Sequence, residues 1–188
     1  MTLTHKKELR SKIRCKTSAM SDSRREYEAQ AVVDLLCRYI STQEVKIMAM
    51  FYPMKDEINI LPLADFAFKE GVRVLMPRME AGAESRMEFY DFSPEKISQG
   101  SWGVMEPVQG EPVGADEIDL MIVPGVAFTP KGERMGRGKG YYDRYLGREG
   151  FRAQTIGVCY AHQMIESLPV EAHDKRVDKV FCVKLEAK

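Results

Sequence analysis

The chain has 188 residues, 44% hydrophobic and 30% charged, a balance that suits one globular domain with its own core. Lys plus Arg number 28 and Asp plus Glu number 28, for a formal net charge of zero, which argues against a general nucleic-acid binder and requires any anion site to be local. The four cysteines lack Cys-x-x-Cys spacing and the three histidines lack a paired arrangement, so neither a disulfide framework nor a zinc site is expected.

The first sixteen residues are polar and basic without the apolar stretch of a signal peptide, and the longest apolar run, near 120–125, is far too short to span a bilayer. A cytoplasmic protein with no membrane association is the expectation. Residues 4 to about 18 read as a basic helix with Leu9 and Ile13 four apart on one side. Lys6 and Arg10 also share a face, and by spacing alone they form a solvated basic stripe. A second helix runs from about 23 to 40. Ser23 and Glu26 fit a capping box, and Tyr27, Ala31, Leu35 and Tyr39 recur beside Val32, Leu36 and Ile40 as a core-facing stripe.

Residues 46–52 (KIMAMFY) form the first strand, ended by Pro53. The turn 54–57 leads to a helix over about 61–70, which Gly71 ends. Residues 72–76 (VRVLM) form a second strand, ended by Pro77, and this strand–helix–strand series predicts a right-handed crossover and a parallel pair. The stretch 79–114 is less regular: 87–92 alternates as a short edge strand, and 102–112 reads as a long ordered loop. Residues 119–124 (DLMIVP) are continuously apolar and therefore central. A glycine-rich loop follows, then a helix over 140 to about 148, a buried strand over 155–160 and a last strand over 179–183. With no repeat, low-complexity segment or linker, the sum is a three-layer α/β/α fold with a mostly parallel central sheet, one domain over 1–188.

The sharpest chemical signal is Arg134-Met135-Gly136-Arg137-Gly138-Lys139-Gly140-Tyr141-Tyr142-Asp143, after a buried strand and before a helix, where open α/β sheets bind ligands. Glycines at alternate positions let the backbone approach a ligand with its N–H groups as an anion nest, and Arg134, Arg137 and Lys139 supply full charges. The following helix N-terminus adds positive partial charge, so the loop reads as a phosphate cradle. It is neither a Walker A loop, since Gly140 follows Lys139 and Glu133 stands at the first glycine position, nor GxGxxG. One of Tyr141 and Tyr142 packs the helix and the other is free to stack on a heterocycle. Asp143 either caps the helix start or holds Mg²⁺. A small-molecule kinase and an RNA-binding module using the same loop are the competing classes, the second opposed by the zero net charge.

Val123-Pro124-Gly125-Val126-Ala127-Phe128, then Gly132, then 134–144 resembles the signature of the 5-formyltetrahydrofolate cyclo-ligases, also called methenyltetrahydrofolate synthetases. The resemblance extends to Lys6-x-x-Leu9-Arg10, Asp56-Glu57-Ile58, Gly103-x-x-Glu106-Pro107, Leu168-Pro169, His173-Asp174 and Val177-Asp178. It departs at Met135, where leucine is usual, and at Thr129, where aspartate is frequent. It implies that ATP phosphorylates the formyl oxygen of 5-formyltetrahydrofolate, N10 attacks the activated carbon, and 5,10-methenyltetrahydrofolate, ADP and phosphate are released. By the same resemblance Lys6 and Arg10 become ATP contacts rather than a solvated stripe. Arg134, Gly136, Arg137, Gly138, Lys139, Gly140, Tyr141 and Tyr142 become the triphosphate loop, with Arg137 and Lys139 nearest the transferring group. Asp143 and Asp174 become Mg²⁺ ligands. Tyr52, Glu57, Arg137 and Tyr141 become folate contacts, with Glu57, by itself a solvated turn residue, accepting hydrogen bonds from the pterin edge. Trp102 is left open between a pterin wall and a packing residue, and His173 ranks below the loop as a proton acceptor. A monomer acting on 5-formyltetrahydrofolate and ATP, with no nucleic acid or membrane partner, is the expectation.

Overall fold

Apolar strand residues alternate between two cores, and this alternation places every element. In the computed structural model, which describes residues 2–79, 86–100 and 102–183, α1 (Thr2–Ser18) and α2 (Asp22–Ile40) come first. They are followed by β1 (Ile47–Ala49), α3 (Pro62–Lys69), β2 (Arg73–Met79) and β3 (Met87–Asp91). Next come β4 (Ile97–Gln99), β5 (Met105–Pro107), β6 (Leu120–Pro124), β7 (Ala127–Phe128) and β8 (Arg134–Met135). Then α4 (Tyr141–Leu146), β9 (Gln154–Val158), a 3-10 turn (Ala161–Gln163) and β10 (Lys179–Phe181) close the series.

Six strands form the central sheet in the order β10-β9-β6-β1-β2-β3, all neighbours parallel except the antiparallel β2–β3 edge. Met48, Leu120, Ile122, Val74 and Ile156 face α2 and α3 on one side. Ala49, Met121, Val123 and Leu75 face α4 and the chain around Tyr145 on the other. β6, buried at every residue, is central as its unbroken apolar run predicts. Leu9 and Ile13 of α1 pack on a third small cluster with Val126, Ala127 and Met135 of the β7–β8 hairpin. Among the described residues no helix is long and apolar enough to cross a membrane, and none of the four cysteines is in a disulfide.

Several local expectations are corrected. The N-cap of α2 is Ser21, whose hydroxyl accepts the Arg24 N–H at 3.4 Å, so Ser23 lies inside the helix. The buried stripe of α2 is turned from the expected one: Val32, Leu36 and Ile40 are core, but Tyr27 is 64% exposed while Glu28 is fully buried. Glu28 lies inside because its carboxylate accepts from Arg24 Nε and the Ala161 N–H, tying α2 to the 3-10 turn.

β2 runs through Pro77 instead of stopping before it. The Phe92 N–H donates to Val74 O, which makes 74, 76 and 78 the hydrogen-bonded positions of the β2–β3 ladder. Pro77 therefore turns its missing donor toward the side where β1, paired only as far as Leu75, has ended. Within the irregular stretch, of which 80–85 and 101 lie outside the described residues, the expected loop contains an antiparallel ribbon, β4–β5. A second short hairpin, β7–β8, separates β6 from the glycine loop.

Candidate active site

The glycine loop lies at the carboxyl edge of the sheet, between two hollows of different character. One is a cavity of about 300 Å³ walled by Tyr52, Met54, Met79, Met87, Trp102 and Tyr142. Its wall comes from chain just beyond β1, from the far end of β2, and from the β4–β5 ribbon. The other is a polar cleft of about 710 Å³ bounded by Lys6, Arg10, Arg144, Lys175, Glu171 and Asp174. Gly136, Lys139, Gly140 and Asp143 face both. Aromatic and thioether walls suit a flat heterocycle, and the cationic cleft suits a polyanion.

The turn requires glycine at two of the loop's three glycine positions, and arginine side chains lie close against all three. A β-carbon at Gly136 would lie 2.7 Å from an Arg134 nitrogen, at Gly140 2.7 Å from an Arg144 nitrogen, and at Gly138 3.4 Å from the Arg10 guanidinium carbon. Gly138 (φ 96°) and Gly140 (φ 70°) are also left-handed, a conformation that side chains disfavour. Arg10 donates from Nε to the Gly136 carbonyl at 2.8 Å, so α1 is fastened to the loop. The helix after the loop has only six residues and no side-chain cap, so the charge at this site comes mainly from arginine and lysine side chains.

Arg134 is buried and pairs with Asp143 at 2.7 Å, and the Lys175 N–H donates to the same Asp143 oxygen at 3.1 Å. Asp143 is therefore an ion-pair partner in this structure rather than the cap of α4. Arg134 Nε, also buried, has no hydrogen-bond partner among the described residues. Arg137 forks onto the adjacent carboxylates of Asp56 and Glu57, the Glu57 contact at 2.9 Å. Burial alone would raise the Asp56 carboxyl, but the Arg137 hydrogen bond and the charges of Arg137 and Arg14 outweigh it and hold it below its usual range. Glu57 Oε2 accepts the Met54 N–H at 2.9 Å, and Tyr160 donates its hydroxyl to the Glu57 carbonyl at 3.2 Å. Lys139 lies 5.0 Å from the Trp102 ring, and Arg134 5.7 Å from that of Tyr142. Burial pushes the Tyr142 hydroxyl well above its ordinary range, so it stays protonated at any working pH.

Lys6 is buried, not solvated. Its ammonium lies 2.8 Å from Glu171 and 2.6 Å from Asp174. Burial works against that charge, but the two carboxylates raise the Lys6 pKa overall, while Lys6 and the Glu171 N–H hold Asp174 below its usual range against its own burial. Ligand atoms of Glu171, His173 and Asp174 lie within 4.8 Å of one another at the rim of the polar cleft. His173 is itself largely exposed.

The structure thus brings Tyr52, Glu57, Arg137, Tyr141 and Tyr142 to the apolar cavity, Lys6, Arg10, Gly138 and Asp174 to the polar cleft, and Arg134, Gly136, Lys139, Gly140 and Asp143 to the loop between them. Asp56, Glu171, Tyr160 and Arg144 carry contacts that the sequence reading assigned to none of them. For Asp56 the signal was available, since two adjacent acids in a turn balance a loop with excess cations. Glu171 is separated by 165 positions from the lysine it pairs with, and no spacing rule reaches so far.

The profile of the 5-formyltetrahydrofolate cyclo-ligase family matches residues 2–183. The 5-formyltetrahydrofolate cyclo-ligase of Mus musculus is 28% identical over 187 residues, covering 94% of this chain and 92% of that protein. That of Saccharomyces cerevisiae is 31% identical over 178 residues and covers 82% of each chain. The NMR structure of Aquifex aeolicus 5,10-methenyltetrahydrofolate synthetase superposes with a TM-score of 0.82 at 36% identity, covering 93% of this chain and 88% of that one. The 5,10-methenyltetrahydrofolate synthetase of Mycoplasma pneumoniae shares the fold, with a TM-score of 0.78 at 23% identity over 94% of this chain and 98% of that one.

Proposed function

The chain belongs to the 5-formyltetrahydrofolate cyclo-ligase family, and from that premise we propose that it converts 5-formyltetrahydrofolate to 5,10-methenyltetrahydrofolate, consuming ATP in the presence of Mg²⁺. The observation that carries this reading is the glycine loop with an apolar, aromatic cavity on one side and a cationic cleft on the other. Ligation by phosphoryl transfer needs such an arrangement, because heterocycle and polyanion must meet at one point while each keeps its own surroundings.

A formyl oxygen is a poor leaving group. Transfer of the γ-phosphoryl group breaks its bond to ADP and forms one to that oxygen. N10 then attacks the formyl carbon, the ring closes, N10 gives up its proton, and the oxygen departs as phosphate. In this reading Lys139, which faces both hollows, neutralises charge on the transferring group. Arg137, held by Asp56 and Glu57, faces the same point from the folate side. Glu57 and the rings of Tyr52 and Tyr141 take the pterin, while Lys6, Arg10, Arg134 and the backbone of Gly136, Gly138 and Gly140 take the nucleotide phosphates; Tyr142, expected among the nucleotide contacts, walls the pterin's cavity instead.

The donor set fits a hard divalent cation, since carboxylate oxygens beside a phosphate cleft are what Mg²⁺ prefers. The hydrogen bonds of Asp143 fall on Oδ1, and Lys6 and the Glu171 N–H engage Asp174 at Oδ2. Asp143 and Asp174 are the residues that would hold the cation. When bound, the ion would neutralise charge across the phosphate oxygens. The chain works as one domain and as a monomer in this reading.

The test is absorbance of the methenyl product with 5-formyltetrahydrofolate and Mg²⁺, with and without ATP. An ATP-dependent rise is expected. Folded protein that binds ATP but gives no rise would refute the folate assignment and favour phosphoryl transfer to another small molecule.

A further inference from the structure

Glu106 is a buried acid that the proposed chemistry does not use. It is 5% exposed, which is rare for a glutamate that has no ion-pair partner among the described residues. It lies in β5, opposite Ser98 of β4, so it belongs to the ribbon whose tip carries Trp102. That tip is tightly turned: the Gly100 N–H donates to Val104 O at 2.8 Å, the Gly103 N–H to Gly100 O at 3.0 Å, and Gly103 has φ 73°.

A two-stranded ribbon is marginal alone and must borrow stability from what it packs on. This one reaches the sheet where β2 has outrun β1. Met79 has the parity of Pro77 in the β2–β3 ladder, so its N–H points away from β3 toward the side where β1 has ended. Glu106 Oε1 accepts that N–H at 3.3 Å. Gly100 completes the seat, since a β-carbon there would overlap the Glu106 carboxyl. Burial raises the Glu106 pKa against the Met79 N–H and the charge of Arg78. Met79, Val104 and Trp102 all wall the apolar cavity, so the seat of Glu106 sets the position of that wall.

We propose that Glu106 is a positioning residue, whose buried carboxyl seats the β4–β5 ribbon on the end of β2 and thereby holds Trp102 against the cavity that takes the substrate's heterocycle. The heterocycle's place rests on the reading above; the seat itself does not. The chain has one tryptophan, so its emission reports Trp102 alone.

The experiment compares wild type with Glu106→Ala, Glu106→Gln and Gly100→Ala, reading acrylamide quenching of the free protein and then KM and kcat for both substrates. Gly100 lies outside the left-handed region, so its variant adds only the clashing methyl group. Loss of one buried hydrogen bond predicts quenching up about twofold and KM for 5-formyltetrahydrofolate up about tenfold in Glu106→Ala, with kcat and the ATP KM within about twofold. Gly100→Ala reproduces this, and Glu106→Gln, which keeps an acceptor, stays near wild type. Unchanged quenching in Glu106→Ala overturns the seat, and changed quenching at an unchanged folate KM overturns the positioning role. Should circular dichroism show Glu106→Ala unfolded, Gly100→Ala decides by the same two readings. Wild type without folate turnover would sink the functional reading, and quenching alone would still decide whether Glu106 seats Trp102.

Discussion

Lys139 lies in the glycine loop and Glu57 faces it, but they make different demands, and kinetics separates them. Lys139 faces both hollows and lies 5.0 Å from the Trp102 ring, with no carboxylate partner among the described residues. A charge placed for the transition state is lost chiefly from turnover, so Lys139→Ala should lower kcat by about two orders of magnitude with the fold unchanged by circular dichroism. Unaltered kcat would remove Lys139 from the chemistry. Glu57 is fixed at both oxygens, by Arg137 and the Met54 N–H, with Tyr160 holding its backbone. Glu57→Gln keeps the shape and removes the charge, so KM for 5-formyltetrahydrofolate should rise about tenfold and the ATP KM much less. Equal effects would argue against pterin recognition. Asp143 carries two burdens, since Arg134 is 4% exposed and Asp143 is its ion-pair partner. Asp143→Asn should cost about 3 kcal/mol of stability by leaving that charge uncompensated, and should also weaken the response to magnesium. A stability loss with an unchanged magnesium titration would leave Asp143 a structural partner alone.

At the scale of elements, α1 is held to the rest of the molecule by charge as much as by Leu9 and Ile13. Lys6 reaches Glu171 and Asp174, and Arg10 reaches the loop at Gly136. The pKa of Asp174 is depressed, so its contribution is present above its ordinary value of 3.8 and is lost as pH falls through the lower folded value. The pKa of Lys6 is raised, so its contribution is complete below 10.5 and is lost as pH rises through the higher folded value. Lys6→Met should therefore lower stability at pH 7 by about 3 kcal/mol and flatten its dependence on pH below about 4 and above about 10.5. Urea unfolding across that range is the measurement, and slopes equal to wild type on both limbs would mean the pair does not fasten the helix. Spacing alone read Lys6 as solvated, because helical periodicity says which residues share a face and not what that face meets. The resemblance made Lys6 an ATP contact instead, and neither reading supplied the pairing with Glu171 and Asp174 that buries it. The unbroken run in β6 announced its own burial, whereas α2 hid its buried face because Glu28 replaces an apolar residue there and Tyr27 points outward.

Across the whole molecule, the sheet and its loop were legible because apolar runs and glycine spacing are local properties of the chain. The division into two hollows was not. The cavity wall joins chain after β1, the end of β2 and the β4–β5 ribbon, and the polar cleft closes only when Glu171 and Asp174 return to α1. Composition sets one further property. Twenty-eight cations balance twenty-eight anions, so no net field draws anions from a distance, yet Arg10, Lys139, Arg144 and Lys175 gather at one cleft. Salt should act only where that gathering is felt. Raising ionic strength from about 0.05 M to 0.5 M shortens the screening length to a few ångströms and should raise the ATP KM by about three- to tenfold. The 5-formyltetrahydrofolate KM should move far less, because the pterin's surroundings are apolar. Polynucleotide should not be retained at about 0.15 M salt, where a basic surface would hold it. A folate KM that rises in step with the ATP KM would mean that the two hollows do not divide the substrates between them, and the loop would have to be read as one anion site.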